Sequence, residues 1–208
     1  KFVRQTLGEL QKDYQGTSIL IATKGIENET GNLMHEVVKE CLKTTKISVI
    51  SGPTFAIDMA NFVPTGLTLA AEKPEEEKIR SLLENDTSSD LTGTEICGSI
   101  KNIMAIANGI LDGMGYPIST KAMFLTKALN QIKSLLPLLG GKEHTITTLS
   151  GFGDLILTCM SEKSRNFSFG KMIGERKSKE EIMTYRNQTT IEGLYTLESF
   201  KRLCEIKR

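Results

Sequence analysis

A lysine–asparagine pair, Lys101-Asn102, stands inside a run of small and apolar residues that extends to Gly109. Apolar residues recur there at helical spacing and predict a stripe that faces a core: Ile96, Ile100, Ile103, Met104, Ala107, Ile110 and Leu111. A second face is small: Gly98, Asn102, Ala105 and Gly109. Because glycine inside a helix costs about 1 kcal/mol relative to alanine, these glycines predict the close approach of a ligand or another backbone. Lys101 beside that face is a candidate site residue; the alternative is a solvated lysine at a helix edge.

Polar and glycine residues also follow two predicted strands. Lys24-Gly25 ends the first strand, and Gly52-Pro53-Thr54 ends the second. Ligands of parallel α/β sheets bind beyond the carboxyl ends of the strands, glycine lets the backbone approach a ligand, and Thr54 offers a hydroxyl. Ordinary strand-to-helix turns would explain the same residues.

Two segments further along the chain carry groups suited to a phosphorylated ligand. Asp154 and Thr158 are four residues apart and share one face if the segment is helical. Ser164-Arg165-Asn166 precedes a short amphipathic pattern, and a cap, a guanidinium and free amides at a helix start bind phosphate well. The alternatives are a carboxylate satisfied by the helix dipole and a capped helix with a surface arginine.

The elements that must position these residues change character near residue 93. Up to about residue 90, strand patterns at 18–23, 47–50 and 65–71 alternate with helix patterns at 31–43 and 74–83. From Thr94 the patterns are nearly all helical, including a helix at 119–136 that Pro137 ends. We predict an α/β fold in which a partial Rossmann-like, mostly parallel sheet (residues 1–93) is followed by an all-helical substrate-binding and dimerisation domain (94–208).

Composition limits the function classes. The 208 residues carry 26 Lys+Arg against 25 Asp+Glu, so global charge does not indicate nucleic acid or an anionic membrane as a partner. No apolar run is long enough for a transmembrane helix, and no secretory signal is visible. Four scattered cysteines indicate reduced thiols and a cytoplasmic protein. With two distant histidines, a metal site or a histidine-dependent triad is poorly supported, and no Gly-x-Gly-x-x-Gly or Walker-type motif is present.

Six motifs occur in an order and spacing that resemble one enzyme family. They are residues 22–27 (Ala-Thr-Lys-Gly-Ile-Glu), 51–56 (Ser-Gly-Pro-Thr-Phe-Ala), Lys101-Asn102, 151–158 (Gly-Phe-Gly-Asp-Leu-Ile-Leu-Thr), 164–166 (Ser-Arg-Asn) and 191–193 (Ile-Glu-Gly). The chain resembles the NAD(P)-dependent glycerol-3-phosphate dehydrogenases, particularly the bacterial form. The resemblance implies reduction of dihydroxyacetone phosphate by NADH or NADPH to sn-glycerol 3-phosphate for phospholipid synthesis, and the reverse reaction. It also implies a homodimer, a small phosphorylated triose as substrate, and no metal, nucleic acid or membrane partner.

The resemblance further implies roles for individual residues. Lys101 is the catalytic acid/base, and Lys24 and Asp154 share in catalysis. The substrate-binding residues are Lys24, Gly52, Thr54, Lys101, Asn102, Asp154, Thr158, Ser164, Arg165 and Asn166. The cofactor-binding residues are Lys24, Ala56, Arg165 and Glu192.

The chain also departs from the family pattern. The glycine-rich first βαβ unit, which would hold the pyrophosphate, is expected before Lys1, and the last helices are expected to be cut short after Arg208. We therefore expect this stretch alone to bind dinucleotide weakly or not at all, and its preference for NADH or NADPH stays open. Two alternatives also stay open: a related two-domain dehydrogenase of a sugar-acid phosphate or ketopantoate-like acid, and a non-catalytic dimerisation or binding module.

Overall fold

Short buried strands and amphipathic helices alternate in the first part of the chain. The computed structural model describes residues 2–71 and 86–207. The elements in this part are α1 (Phe2–Leu10), β1 (Ile19–Ile21), α2 (Met34–Leu42), β2 (Ile47–Ser51), α3 (Ala56–Ala60), β3 (Thr68–Ala71) and β4 (Asp86–Ser88). The three predicted strands are present: β1 and β3 are shorter than the sequence patterns suggest, and β2 is one residue longer. The predicted helix at 74–83 lies outside the described residues.

The four strands in the described part of the chain form one sheet in the order β1-β2-β3-β4. β1 runs parallel to β2, with Ile19 opposite Ile47, and β3 runs parallel to β4. The prediction of a mostly parallel sheet is therefore confirmed, although β3 runs antiparallel to β2. The helix between those two strands, α3, has only five residues. Antiparallel neighbours do not need the long, usually helical crossover that connects parallel neighbours.

One hydrophobic cluster joins the sheet to the helices that cover it. It contains Leu7, Ile21, Met34, Val37, Val38, Leu42, Ile47, Val49 and Ala70. The apolar positions of α2 are three or four residues apart and so lie on one face of the helix. This packing fixes the carboxyl ends of β1 and β2, where two of the candidate segments begin.

The second part of the chain is helical, as predicted. Its elements are α4 (Leu91–Gly113), α5 (Ile118–Leu138), a 3₁₀ turn (Glu143–Thr147), a π-helical turn (Leu149–Gly153), α6 (Asp154–Met160), α7 (Arg165–Gly174), α8 (Lys179–Gln188) and α9 (Glu192–Ile206). Helix α5 runs through Pro137 and ends one residue later, rather than stopping at it. Because proline removes one backbone donor and clashes with the preceding turn, it is tolerated here only in the last turn.

Helix α4 lies at the centre of this part and begins at Asp90, whose side chain accepts a hydrogen bond from Gly93 N. Its small-residue face is the more deeply buried one. Ile103, Met104, Ala107, Ile110 and Leu111 are only partly buried, so the second half of the predicted stripe is less buried than expected, although Met104 packs against the core. A Cβ on Gly109 would lie 2.1 Å from the carbonyl oxygen of Phe167 in α7. The glycines therefore permit the backbone contact that the sequence predicted.

A second hydrophobic cluster extends from the sheet portion into the helices. Ile26 and Leu33, which lie between β1 and α2, pack into the same core as Ile96 and Ile100 of α4. Within residues 2–71 and 86–207, no helix combines the length and apolar character needed to cross a lipid bilayer.

Candidate active site

Lys101 and Asp154 form a nearly buried ion pair. Lys101 lies on α4, and Asp154 is the first residue of α6, which packs against α4. The Lys101 Nζ to Asp154 Oδ1 distance is 2.6 Å, and the side chains are 13% and 2% exposed. Thr158, one turn along α6, donates its hydroxyl to the same carboxylate oxygen at 3.3 Å. The i, i+4 spacing of Asp154 and Thr158 thus produces the shared face that was predicted.

Lys24 approaches the same carboxylate from the sheet side. It follows β1 and donates to Ser51 Oγ at 2.6 Å and to the Ile50 carbonyl oxygen at 3.2 Å. Ser51 Oγ in turn donates to Asp154 Oδ2 at 3.3 Å. The two lysines are therefore joined through one serine and one aspartate.

The position of Lys24 changes its protonation. Burial lowers the pKa of Lys24 to about 8. The nearby Asp154 carboxylate opposes that effect, whereas the positive charge of Lys101 adds to it. A lysine of this kind passes from charged to neutral only a little above neutral pH.

Gly98 makes room for this arrangement on α4. A Cβ at this position would lie 3.0 Å from Ser51 Oγ and 3.2 Å from Lys24 Cδ. A side chain there would push Lys24 and Ser51 away from the helix. Gly98 therefore leaves room for a charged side chain, whereas Gly109 leaves room for a neighbouring backbone.

A network of amides adjoins this site. Asn166 Nδ2 donates to Asn102 Oδ1 at 3.0 Å, and Asn102 Nδ2 donates to Glu192 Oε2 at 3.1 Å. Gly193 N donates to Asn166 Oδ1 at 2.9 Å. These bonds hold the start of α7 and the start of α9 against α4, so both predicted asparagines belong to the frame of the site.

Arg165 and Ser164 lie at the entrance to α7. The Ser164 hydroxyl accepts a hydrogen bond from Phe167 N and caps the helix, as the sequence indicated. Arg165 is half-exposed, and its guanidinium lies 3.2 Å from Glu192 Oε1. Glu192 thus contacts both Arg165 and Asn102, and it connects the amide network to the arginine.

Three other predicted site residues lie just beyond the end of β2. The Thr54 hydroxyl donates to the Gly66 carbonyl oxygen at 3.3 Å, and a Cβ on Gly52 would lie 2.7 Å from that same oxygen. Ala56 begins α3 and is exposed. Among the described residues, no hydrogen bond connects these three to Lys24, Lys101 or Asp154. Their contacts with a ligand stay predictions.

Ser51 is the residue that the sequence analysis missed. It was quoted only as part of a motif, although its hydroxyl lies between Lys24 and Asp154. The available signal was its position, since it is the last residue of β2 and precedes Gly52 at the edge where Lys24 also lies.

The arrangement is suited to acid–base chemistry at an oxygen. Two lysines share the buried Asp154 carboxylate, so this carboxylate alone does not neutralise them, and an ammonium can face an anionic ligand or a developing alkoxide. Cys97 and Cys159 flank the site, but burial raises the pKa of each thiol to about 12, so neither is a thiolate nucleophile at neutral pH. Within the described residues, no three His, Cys, Asp or Glu side chains are grouped to hold a metal ion.

Comparisons with known proteins give one consistent family. The family model described as the NAD-dependent glycerol-3-phosphate dehydrogenase C-terminus matches residues 90–208, and the N-terminus model of the same family matches residues 1–77. A glycerol-3-phosphate dehydrogenase [NAD(P)+] of Erythrobacter litoralis is 37% identical over 99% of this chain. The corresponding protein of Zymomonas mobilis is 38% identical over 97% of the chain. The chain spans 62% and 60% of the length of these two relatives.

Solved structures agree with this result. The crystal structure of glycerol-3-phosphate dehydrogenase from Coxiella burnetii superimposes with a TM-score of 0.88 at 34% identity, covering 98% of this chain and 64% of that one. The yeast glycerol-3-phosphate dehydrogenase superimposes with a TM-score of 0.82 at 21% identity, over 98% of this chain and 64% of that chain. At that identity the yeast structure supports the fold alone.

Proposed function

Because the chain belongs to the NAD-dependent glycerol-3-phosphate dehydrogenase family, we propose that it is the part of such an enzyme that carries the proton-transfer site. The reaction is the reversible conversion of dihydroxyacetone phosphate and NAD(P)H to sn-glycerol 3-phosphate and NAD(P)+. The observation that carries the proposal is the Lys101–Asp154 pair at 2.6 Å, with Lys24 connected to it through Ser51.

Lys101 is the proton donor in the reduction. When hydride reaches C2 of the substrate, the carbonyl oxygen becomes an alkoxide, and the Lys101 ammonium supplies a proton to it. Asp154 fixes the direction of that ammonium and stabilises its charge in a buried setting. In the reverse reaction the neutral lysine amine takes the proton from the hydroxyl.

Lys24 has a separate role. Its ammonium lies on the other side of Asp154, where a second positive charge polarises the carbonyl before the hydride arrives. Because the pKa of Lys24 is near 8, this charge is present at neutral pH and absent in alkaline solution.

The substrate phosphate would bind at the start of α7. Arg165 offers a half-exposed guanidinium there, and the first turn of a helix presents backbone N–H groups that bind anions. Binding energy gained at the phosphate, away from the reacting carbon, holds C2 in position. Ser164 and Asn166 shape this corner, and the family pattern also assigns Gly52, Thr54, Asn102 and Thr158 to the substrate.

The residues present fit one part of a nicotinamide dinucleotide site. Lys24 and Arg165 are cations suited to phosphate oxygens, and the family pattern adds Ala56 and Glu192 to this set. When bound, NADH or NADPH supplies the hydride. The chain's own residues bind the substrate and transfer the proton.

We also propose the wider setting that the family resemblance implies. Residues 1–93 form part of the dinucleotide-binding domain, and residues 94–208 belong to a helical domain for substrate binding and dimerisation. The enzyme would be a cytoplasmic homodimer whose product enters phospholipid synthesis.

A substrate panel with the full-length protein tests the proposal. We expect oxidation of NADH or NADPH with dihydroxyacetone phosphate, and little or none with ketopantoate or a sugar-acid phosphate. If the enzyme turned over only another ketone, dihydroxyacetone phosphate would be excluded as the substrate. Absence of turnover with every ketone, together with no change of NADH fluorescence on titration, would favour a non-catalytic module.

A further inference from the structure

We propose that Ser51 is a positioning residue, whose hydroxyl connects Lys24 to Asp154 and holds the Lys24 ammonium toward the reacting oxygen. The inference rests on the proposed dehydrogenase function, in which Lys24 polarises the substrate carbonyl. It assigns a role to a residue that the family resemblance left without one.

The direction of each hydrogen bond follows from the groups involved. A lysine ammonium has three N–H donors and no acceptor, so Lys24 donates to Ser51 Oγ at 2.6 Å and to the Ile50 carbonyl oxygen at 3.2 Å. The hydroxyl hydrogen of Ser51 is then left for Asp154 Oδ2, 3.3 Å away. Within residues 2–71 and 86–207 the third N–H of Lys24 has no acceptor, and this N–H can meet a substrate oxygen.

Ser51 makes an indirect contact between Lys24 and the carboxylate. Lys101 contacts Asp154 Oδ1 directly, whereas Lys24 has no carboxylate within ion-pair distance among the described residues. A direct pair would keep the second lysine on the aspartate. The serine hydroxyl instead holds Lys24 close while leaving its charge available to a ligand.

Because the Lys24 side chain is buried, neighbouring groups rather than water determine whether it carries a charge. The charged groups that act on it are Asp154 from α6, Lys101 and Glu95 from α4, and Glu192 from α9. Burial and Lys101 disfavour the ammonium, and the three carboxylates favour it. An acceptor at 2.6 Å also favours the charged form, so loss of the Ser51 hydroxyl should lower the pKa of Lys24.

The experiment compares Ser51→Ala with Ser48→Ala in the full-length enzyme. Ser48 is a matched control, since it is a fully buried serine of the same strand whose hydroxyl has no hydrogen-bond partner within the described residues. The rate kcat/KM for dihydroxyacetone phosphate is measured from pH 6 to pH 10. We expect Ser51→Ala to lower it about tenfold at pH 7 and to move its alkaline limb down by about one pH unit. Ser48→Ala should retain the native profile.

A direct titration gives a readout that needs no turnover. The pKa of Lys24 is followed by ¹³C NMR of labelled lysine in the free protein, with Lys24→Gln to assign the resonance. A lower pKa in Ser51→Ala supports the inference, and an unchanged pKa overturns it. If Ser51→Ala does not fold, Ser51→Cys, with its weaker donor and acceptor, is titrated instead and judged in the same way.

The dehydrogenase function and the role of Ser51 can be tested separately. A native enzyme that does not reduce dihydroxyacetone phosphate would remove the proposed function, whereas the NMR titration would still report on Ser51. An active native enzyme with identical pH profiles in Ser51→Ala and the native protein would overturn the role of Ser51 alone. Equal shifts in Ser51→Ala and Ser48→Ala would show a general effect of the strand and would also overturn it.

Discussion

Two lysines use the Asp154 carboxylate in different ways. Lys101 contacts Oδ1 directly, and Lys24 reaches Oδ2 through Ser51. A buried charge that loses its partner is strongly destabilised, so Lys101 and Asp154 depend on each other. The same aspartate therefore holds one proton donor directly and, through Ser51, a second lysine whose pKa burial lowers.

Removal of the proton donor should affect turnover more than binding. We expect Lys101→Ala to lower kcat for dihydroxyacetone phosphate by about 10²–10⁴-fold, with a smaller change in KM, because Arg165 and the start of α7 still hold the phosphate. Steady-state kinetics at pH 7 measure this, and thermal unfolding checks the fold. Lys133→Ala, which removes an exposed lysine of α5, serves as the control. Unchanged turnover in Lys101→Ala would exclude Lys101 as the acid.

Lys24 should impose an alkaline limit on the reduction. Its pKa is lowered from the ordinary 10.5 to about 8, so the side chain is charged below that pH and neutral above it. We expect kcat/KM for dihydroxyacetone phosphate to fall as pH rises through about 8. In Lys24→Arg the guanidinium remains charged over this range, so the limb should move to higher pH. A limb that stays in place in Lys24→Arg would mean that another group controls it.

Helices α4 and α7 cross at glycine residues, where their backbones come into contact. A Cβ on Gly109 would lie 2.1 Å from the Phe167 carbonyl oxygen, and one on Gly170 would lie 2.0 Å from that of Ile106. The two backbones are thus in contact from both sides. Because Lys101 and Asn102 lie earlier on α4 and Arg165 and Asn166 lie on α7, this crossing sets the distance between the proton donor and the phosphate corner.

A methyl group at the crossing should separate the helices. We expect Gly109→Ala to lower the free energy of unfolding by about 2 kcal/mol, as overpacking of a close contact does, despite the gain in helix propensity. Urea denaturation measures the change. Gly8→Ala in α1, where a Cβ would meet no atom within 4 Å, should be neutral or stabilising by up to about 1 kcal/mol. A Gly109→Ala protein as stable as Gly8→Ala would contradict the tight crossing.

Much of this geometry could be predicted from local pattern, and the remainder depended on long-range partners. Periodicity predicted α4 and its small face, and the rule for strand ends placed Lys24 and Gly52 at one edge of the sheet. Neither pattern shows which oxygen a side chain will meet. Lys101 and Asp154 are far apart in sequence, and the role of Ser51 became visible only in its hydrogen bond to Asp154, which is 103 residues away in the chain. The antiparallel direction of β3 was likewise not predicted from the sequence pattern.

The sheet portion and the helical portion of the molecule share one hydrophobic core. Ile26 and Leu33 pack with Ile96 and Ile100. Beside them, His35 of α2 donates its backbone N–H to Glu95 Oε1 of α4 at 2.9 Å, and its ring Nδ1 lies 2.6 Å from Oε2. Burial raises the pKa of Glu95. A buried carboxyl that bonds two groups of the other portion joins the two halves, so we expect them to unfold together.

Substitution of Glu95 should therefore destabilise both portions together, and the protein should still unfold in one cooperative transition. We expect Glu95→Ala to lower the free energy of unfolding by about 2 kcal/mol, because the His35 N–H and ring nitrogen lose their partner in a dry environment. Glu95→Gln retains an acceptor for the N–H and places an amide beside the ring, so its effect should be below about 1 kcal/mol. Calorimetry tests whether the transition stays single, with equal calorimetric and van't Hoff enthalpies. Two separate transitions in the native protein would contradict the shared core, and equal losses in both variants would show that the negative charge, rather than the hydrogen bonds, joins α2 to α4.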